Sequence, residues 1–166
     1  MIMIDKKIAE LINEQVNKEL YSAYLYLDFA NYFEEQNLDG FANWYIIQAE
    51  EEMDHAMKMR QYLIDNEVPV KLDAIAKPNK KFKTYMDVLK AGYEHEQYVT
   101  SLINTIYDAA FDAREYKTMQ FLDWFVREQV EEEKNAKDMI EKMKIFGGDA
   151  KGLYNLNNEM KARTKE

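Results

Sequence analysis

Gln48-Ala49-Glu50-Glu51-Glu52-Met53-Asp54-His55 is the stretch on which the fold turns. Phe41 and Tyr45 precede it, Met59 and Tyr62 follow it, and with Gln48, Glu52 and His55 they recur at three- and four-residue steps. That spacing keeps one face of an α-helix toward a core. The face is apolar at both ends and polar in its middle. Three further segments repeat the arrangement. They are Ile8, Ile12, Gln15, Glu19, Ser22, Tyr26, Phe29 and Phe33; Met86, Leu89, Tyr93, Glu96, Val99, Ile103, Ile106 and Ala110; and Leu122, Phe125, Gln129, Glu132, Ala136, Met139 and Met143.

Helix breakers fall between these segments. Five Gly and two Pro in 166 residues favour long helices. Asn37-Leu38-Asp39-Gly40 reads as a turn, Pro69 and Pro78 share one stretch from about Glu67 to Lys83, and Gly147-Gly148 closes a Lys-rich run. Gly92 stands inside a helical pattern, where it costs about 1 kcal/mol relative to Ala. The helices predicted are 5–35, 39–66, 84–112 and 115–146, with a short fifth at 150–163. A helix of about 28 residues is ~42 Å long. Short turns make the first two helices antiparallel, and likewise the third and fourth. The Pro-containing link of about 17 residues reaches roughly 55 Å, enough to run the length of the bundle. The expectation is a single all-α domain over 1–166: a four-helix bundle at about 5–146 with one long crossover, then the fifth helix.

In helices of equal length packed side by side, mid-helix positions share one level. Glu19, Glu52 with His55, Glu96, and Gln129 with Glu132 therefore converge inside the bundle. An uncompensated carboxylate there costs several kcal/mol, so the acids must share protons or a cation. Oxygen donors with one imidazole favour a hard to borderline metal such as iron or manganese. Glu52 and His55, three residues apart on one face, can address one ion.

At these residues the chain resembles the ferritin family, specifically the non-haem bacterial ferritins. The resemblance rests on Asn13-Glu14-Gln15…Glu19-Leu20-Tyr21-Ser22, on Gln48 to His55, on His95-Glu96-Gln97, and on Phe121-Leu122-Asp123-Trp124…Glu128-Gln129-Val130-Glu131-Glu132-Glu133-Lys134. It implies a ferroxidase and iron store with a ferritin-like fold. By resemblance, Glu19, Glu52 and His55 hold a first iron, and Glu52 bridges to a second held by Glu96 with Gln129 beside it. Glu51, Glu128, Glu131 and Glu132 look like the third iron site of these ferritins, on the cavity side of the pair. Tyr26, two turns beyond Glu19, resembles the family's redox-active tyrosine. Trp124 matches a tryptophan that accompanies it and is read as packing. Gln129-x-x-Glu132 replaces the second Glu-x-x-His of bacterioferritins, which suits a transit site that releases oxidised iron. Met53 follows Glu52 as the haem ligand does in bacterioferritins, but with ten Met in the chain haem is not expected. His95, about 100° off the seam, is read as a supporting or surface residue.

Composition excludes several classes. The absence of Cys removes disulfides, zinc ribbons, iron–sulfur clusters and rubrerythrin-type modules. The 31 acids against 22 Lys plus Arg give a net charge of −9, which argues against nucleic acid and anionic membrane as partners. Lys161, Arg163 and Lys165 form a faint basic tail of the kind seen in DNA-protecting relatives. The N-terminal Met-Ile-Met-Ile-Asp5 stretch lacks a signal-type apolar run, so the expected location is the cytoplasm. Tyr21, Tyr24 and Tyr32 lie off the seam, so the first helix should be covered by another subunit. The 150–163 segment is too short and polar to be core. The resemblance implies a homo-24-mer shell that takes Fe(II) and O2 or H2O2.

Overall fold

The computed structural model describes residues 3–166; Met1 and Ile2, part of the N-terminal stretch read above, lie outside the described residues. Among the described residues the chain forms five α-helices, α1 (Lys6–Glu35), α2 (Asp39–Asp65), α3 (Tyr85–Asp112), α4 (Tyr116–Phe146) and α5 (Ala150–Lys161). The four long helices form the bundle, with α1 packed on α2 and α3 on α4 as antiparallel pairs. Asp5 caps α1, its carboxylate accepting from the backbone N–H of Lys7 (2.8 Å) and Ile8 (3.3 Å). Thr84 and Asp87 close a capping box at α3.

Three helix ends are turned without glycine. Asn37, Glu67 and Arg114 take positive φ (59°, 59° and 54°) one residue past the C-caps of α1, α2 and α3. In each, the next N–H returns to the carbonyl five residues earlier: Leu38 to Phe33, Val68 to Leu63, Glu115 to Ala110. These are Schellman closures. Gly40, expected in a turn, instead lies in the first turn of α2. A Cβ there would stand 1.7 Å from the Asn157 carbonyl oxygen, so glycine lets α5 approach.

The crossover, 66–84, runs along the outer face of α1. Asn13 accepts from Lys71 N (2.8 Å), Asn17 accepts from Asp73 N (2.8 Å), and both amides donate to Lys71 O. Further on, Phe82 meets Phe29 and Tyr32 at ring centroids of 5.3 and 5.8 Å. The expectation that Tyr32 awaits another subunit is therefore corrected. Tyr32 packs against the chain's own crossover, while Tyr21, half-buried beside His95, lines a groove whose other wall is the crossover. Tyr24 stays 48% exposed.

The α5 segment is also more than a surface appendage. Leu156 and Met160 are buried in the core beside Phe41 and Met143. Asn157 Oδ1 accepts from Gly40 N (2.8 Å) and Phe41 N (3.2 Å), satisfying N–H groups that Leu38, the N-cap of α2, cannot reach. Amphipathic spacing made those two apolar residues one-sided, and the open N-terminus of α2 gives them a place to dock.

The core is divided. One apolar cluster gathers Phe29, Phe33, Phe41, Tyr45 and Leu89; the other gathers Ile12, Met59, Leu63, Ile103 and Phe125. Between them lies a layer of buried amides, carboxylates and one imidazole.

Candidate metal centre

Each long helix brings its interrupted seam to that middle layer. Glu19 from α1, Glu52 and His55 from α2, Glu96 from α3, and Gln129 and Glu132 from α4 are all buried, none more than 4% exposed. Two groups of donors form there. Glu19, Glu52 and His55 present ligand atoms within 4.8 Å of one another, and so do Glu52, Glu96 and Glu132. Glu52 belongs to both, so one carboxylate stands between two ion-sized positions.

Amides and a phenol fix the carboxylates. Gln15 Nε2 donates to Glu19 Oε1 (2.9 Å), and Gln48 Nε2 donates to Glu52 Oε1 (3.1 Å) and Glu132 Oε2 (2.6 Å). Gln129 Nε2 donates to Glu96 Oε2 (3.1 Å) and to Thr100 Oγ1 (3.2 Å). Tyr26 donates its hydroxyl to Glu96 Oε1 at 2.5 Å. His55 Nδ1 faces Glu52 Oε2 at 3.1 Å. One atom is left over. Glu19 Oε2 is the buried side-chain oxygen that finds no hydrogen-bond partner among the described residues.

The electrostatics of this layer are unfavourable without a cation. Burial, then the Glu52 carboxylate, holds Glu19 well above the usual carboxylate range. Burial, then Glu96 and Glu132, does the same to Glu52. Burial raises Glu96, and burial with Glu96 pushes Glu132 up to about 8. Burial pulls His55 down, but the facing Glu128, Glu19 and Glu132 outweigh it and raise the imidazole. Clustered acids that hold protons against their nature, with one oxygen unpartnered, fit a di- or trivalent cation of hard to borderline character.

The third-site acids are not all brought together. Glu128 and Glu132 join His55 in a group within 4.8 Å, but neither Glu51 nor Glu131 belongs to it. Glu51 turns to Arg163, and Glu131 is exposed. Glu132 also reaches deeper than expected, into the group with Glu52 and Glu96. Trp124 packs edge-on against His55, with centroids 5.4 Å apart, and carries Lys58 over its ring. His95 is partly buried off the cluster, bonded to Ser22 Oγ (2.7 Å) and set edge-on to Tyr26. Met53 is 45% exposed on the outer face of α2.

Gln15 and Gln48 were visible in the seams but carried no assignment. Their shared signal is Gln-x-x-x-Glu, which sets an amide one turn before Glu19 and Glu52. Arg163 had no local signal. Nor does the basic tail remain free: Lys161 pairs with Asp39, Arg163 with Glu51 and Lys165 with Asp54. Among the described residues no helix is long and apolar enough to cross a membrane.

Known proteins share both the chain and its shape. The ferritin-like domain pattern matches residues 9–146. A bacterial non-haem ferritin of Campylobacter jejuni is 40% identical over 152 residues, 92% of this chain and 91% of that protein. One from Bacteroides fragilis is 37% identical over 161 residues, 97% of this chain and 100% of that protein. An open-pore ferritin from the hyperthermophilic archaeon Archaeoglobus fulgidus superimposes with a TM-score of 0.95 at 40% identity, covering 99% of this chain and 100% of that one. With a matching domain pattern, relatives along nearly its whole length and the same backbone, this chain belongs to the ferritin family, whose trade is iron storage.

Proposed function

We propose that this chain oxidises Fe(II) at the middle layer of its bundle and stores the product as a ferric mineral inside a shell of its own copies. The observation that carries this reading is the shared position of Glu52 between two groups of buried donors, beside the unpartnered Glu19 Oε2. Glu19, Glu52 and His55 hold one Fe(II), and Glu52, Glu96 and Glu132 hold the other, with Gln129 beside it. Each iron gives up one electron, and the pair reduces O2 to hydrogen peroxide or hydrogen peroxide to water. The layer favours that step because anionic oxygen donors stabilise Fe(III) over Fe(II), and because the two ions are held side by side. Tyr26 is the redox-active side chain: where O2 takes one electron more than the two that the irons give, the phenol supplies it and passes its proton along the hydrogen bond to Glu96.

Gln129 puts a neutral amide beside the second position where a symmetric di-iron site carries a second Glu-x-x-His, which suits release of iron after oxidation. Glu128, Glu131, Glu132 and Glu51 lead from the pair toward the interior of the shell. A lone bundle has no mineral cavity, so storage requires assembly. The assembly surface includes an apolar groove of about 520 Å³ between α1 and α2, lined by Leu20, Tyr24, Leu27, Ile46 and Met53. Family membership supports the reading that this shell is a homo-24-mer in the cytoplasm.

Aerobic addition of Fe(II) tests this reading. The expected result is a particle of about 480 kDa, from 24 copies of the 19.8 kDa chain, holding far more than three irons per chain. Iron bound only stoichiometrically, with no mineral, would overturn storage. Glu19→Ala should slow oxidation, and fast oxidation in that variant would overturn the ligand assignment.

A further inference from the structure

The chain after α5 lies outside the chemistry above, yet it ends against it. Residues 161–165 track one stripe of α2, from Asp39 past Glu51 to Asp54. Arg163 is the pivot. Its Nη1 donates to Trp44 O and Gln48 Oε1, both at 3.0 Å, and its Nη2 donates to Glu51 Oε2 at 2.6 Å. The guanidinium also lies 4.1 Å over the Trp44 ring, and the side chain is only 17% exposed. A planar fork of this kind can satisfy three acceptors and a ring at once, which a lysine ammonium cannot.

Two consequences follow from the geometry. Because Gln48 gives its oxygen to Arg163, its nitrogen must face inward, where it donates to Glu52 and Glu132. And because Glu51 gives an oxygen to Arg163, that acid stands apart from the group formed by His55, Glu128 and Glu132. Glu51, Glu128 and the C-terminal Glu166 nonetheless line one cavity of about 360 Å³ beside His55. The cation already on Glu51 belongs to the protein.

We propose that Arg163 is a built-in competitor for the third cation position: its guanidinium occupies Glu51 until a metal cation, seated with Glu128 and Glu132, displaces it and frees the tail. The proposal rests on reading these acids as a third cation position. The apparent affinity of that position is then its intrinsic affinity reduced by the fraction of chains whose tail is displaced, so a tail open about one-tenth of the time weakens binding about tenfold. Such weakening favours passage of the cation onward over its retention.

Zn(II) serves as a redox-inert probe that accepts nitrogen and oxygen donors. Calorimetric titration should show the third ion binding about tenfold tighter to Arg163→Gln than to the unaltered protein. A chain ending at Ala162 should match that variant, and Arg163→Lys should fall between. In the unaltered protein, the amides of 163–166 should exchange faster once the third Zn(II) is bound. Equal or weaker third-ion affinity in Arg163→Gln and in the shortened chain overturns the proposal. Absence of a third ion from every variant overturns the cation position itself, and the proposal with it.

Discussion

The two apolar clusters and the layer between them are buried alike but built of opposite chemistry. Phe33, Phe41 and Met59 are fully covered, and Glu19, Glu52 and Glu96 are no more than 2% exposed. In the clusters, burial is itself the stabilising term, at about 25 cal/mol per Å² of apolar surface. In the layer, burial opposes ionisation of every acid, and amides and a phenol offset only part of that penalty. The ends of the bundle therefore hold it together, while the middle holds electrostatic free energy that a cation releases.

The contrast predicts substitutions of opposite sign. Phe33→Ala, in the aromatic cluster, should lower stability by about 3–5 kcal/mol, read by urea unfolding of the metal-free protein. Glu52→Gln removes the acid common to both donor groups. It should raise metal-free stability by about 1–2 kcal/mol and abolish the increase in unfolding temperature that Zn(II) gives the unaltered protein. A Glu52→Gln variant less stable without metal than its parent would break the comparison, since the layer would then be a structural network in its own right.

Acidity sharpens the same point. An unfolded chain releases the Glu132 proton near the ordinary value of 4.5, whereas the folded layer keeps it to about 8. Glu19 and Glu52 shift in the same direction. Across that window the folded state binds more protons than the unfolded state, so metal-free stability should fall as pH rises from about 5 to 8. Zn(II) competes with those protons, so its affinity should rise over the same interval and the stability loss should flatten. Unfolding temperatures measured with and without Zn(II) at several pH values check both slopes. A metal-free protein that gains stability over this window would contradict the raised acidities.

How much was legible in the sequence follows from where each signal lies. The middle layer was readable because Glu19, Glu52, Glu96 and Glu132 break local periodicities, and a periodicity needs only one helix to be seen. The helix spans were readable to within two residues, for the same reason. The turns were less so: Asn37, Glu67 and Arg114 take the left-handed conformation that composition would assign to glycine, while Gly40 serves helix contact. Arg163 against Glu51 joins residues 112 apart and leaves no local pattern. Tyr32 was read as awaiting another subunit because an irregular crossover has no period to show which helix face it covers.

Gly92 offers the finest test of how tightly the aromatic cluster fits against the layer. Its carbonyl accepts weakly from Tyr26 (3.4 Å), and a Cβ at this position would stand 3.3 Å from the Tyr45 hydroxyl, with no backbone of another helix nearer. Alanine gains about 1 kcal/mol in helix propensity. That gain is opposed by pressure on Tyr45, whose ring stacks on Tyr26 at 5.8 Å. Gly92→Ala alone should therefore change stability by less than about 0.5 kcal/mol. In a Tyr45→Phe background the hydroxyl is gone, and the same substitution should stabilise by close to 1 kcal/mol. Urea unfolding of the four proteins gives the coupling directly. Equal effects in both backgrounds would show that glycine at 92 serves something other than the Tyr45 hydroxyl, and the boundary between cluster and layer would have to be placed elsewhere than on this ring.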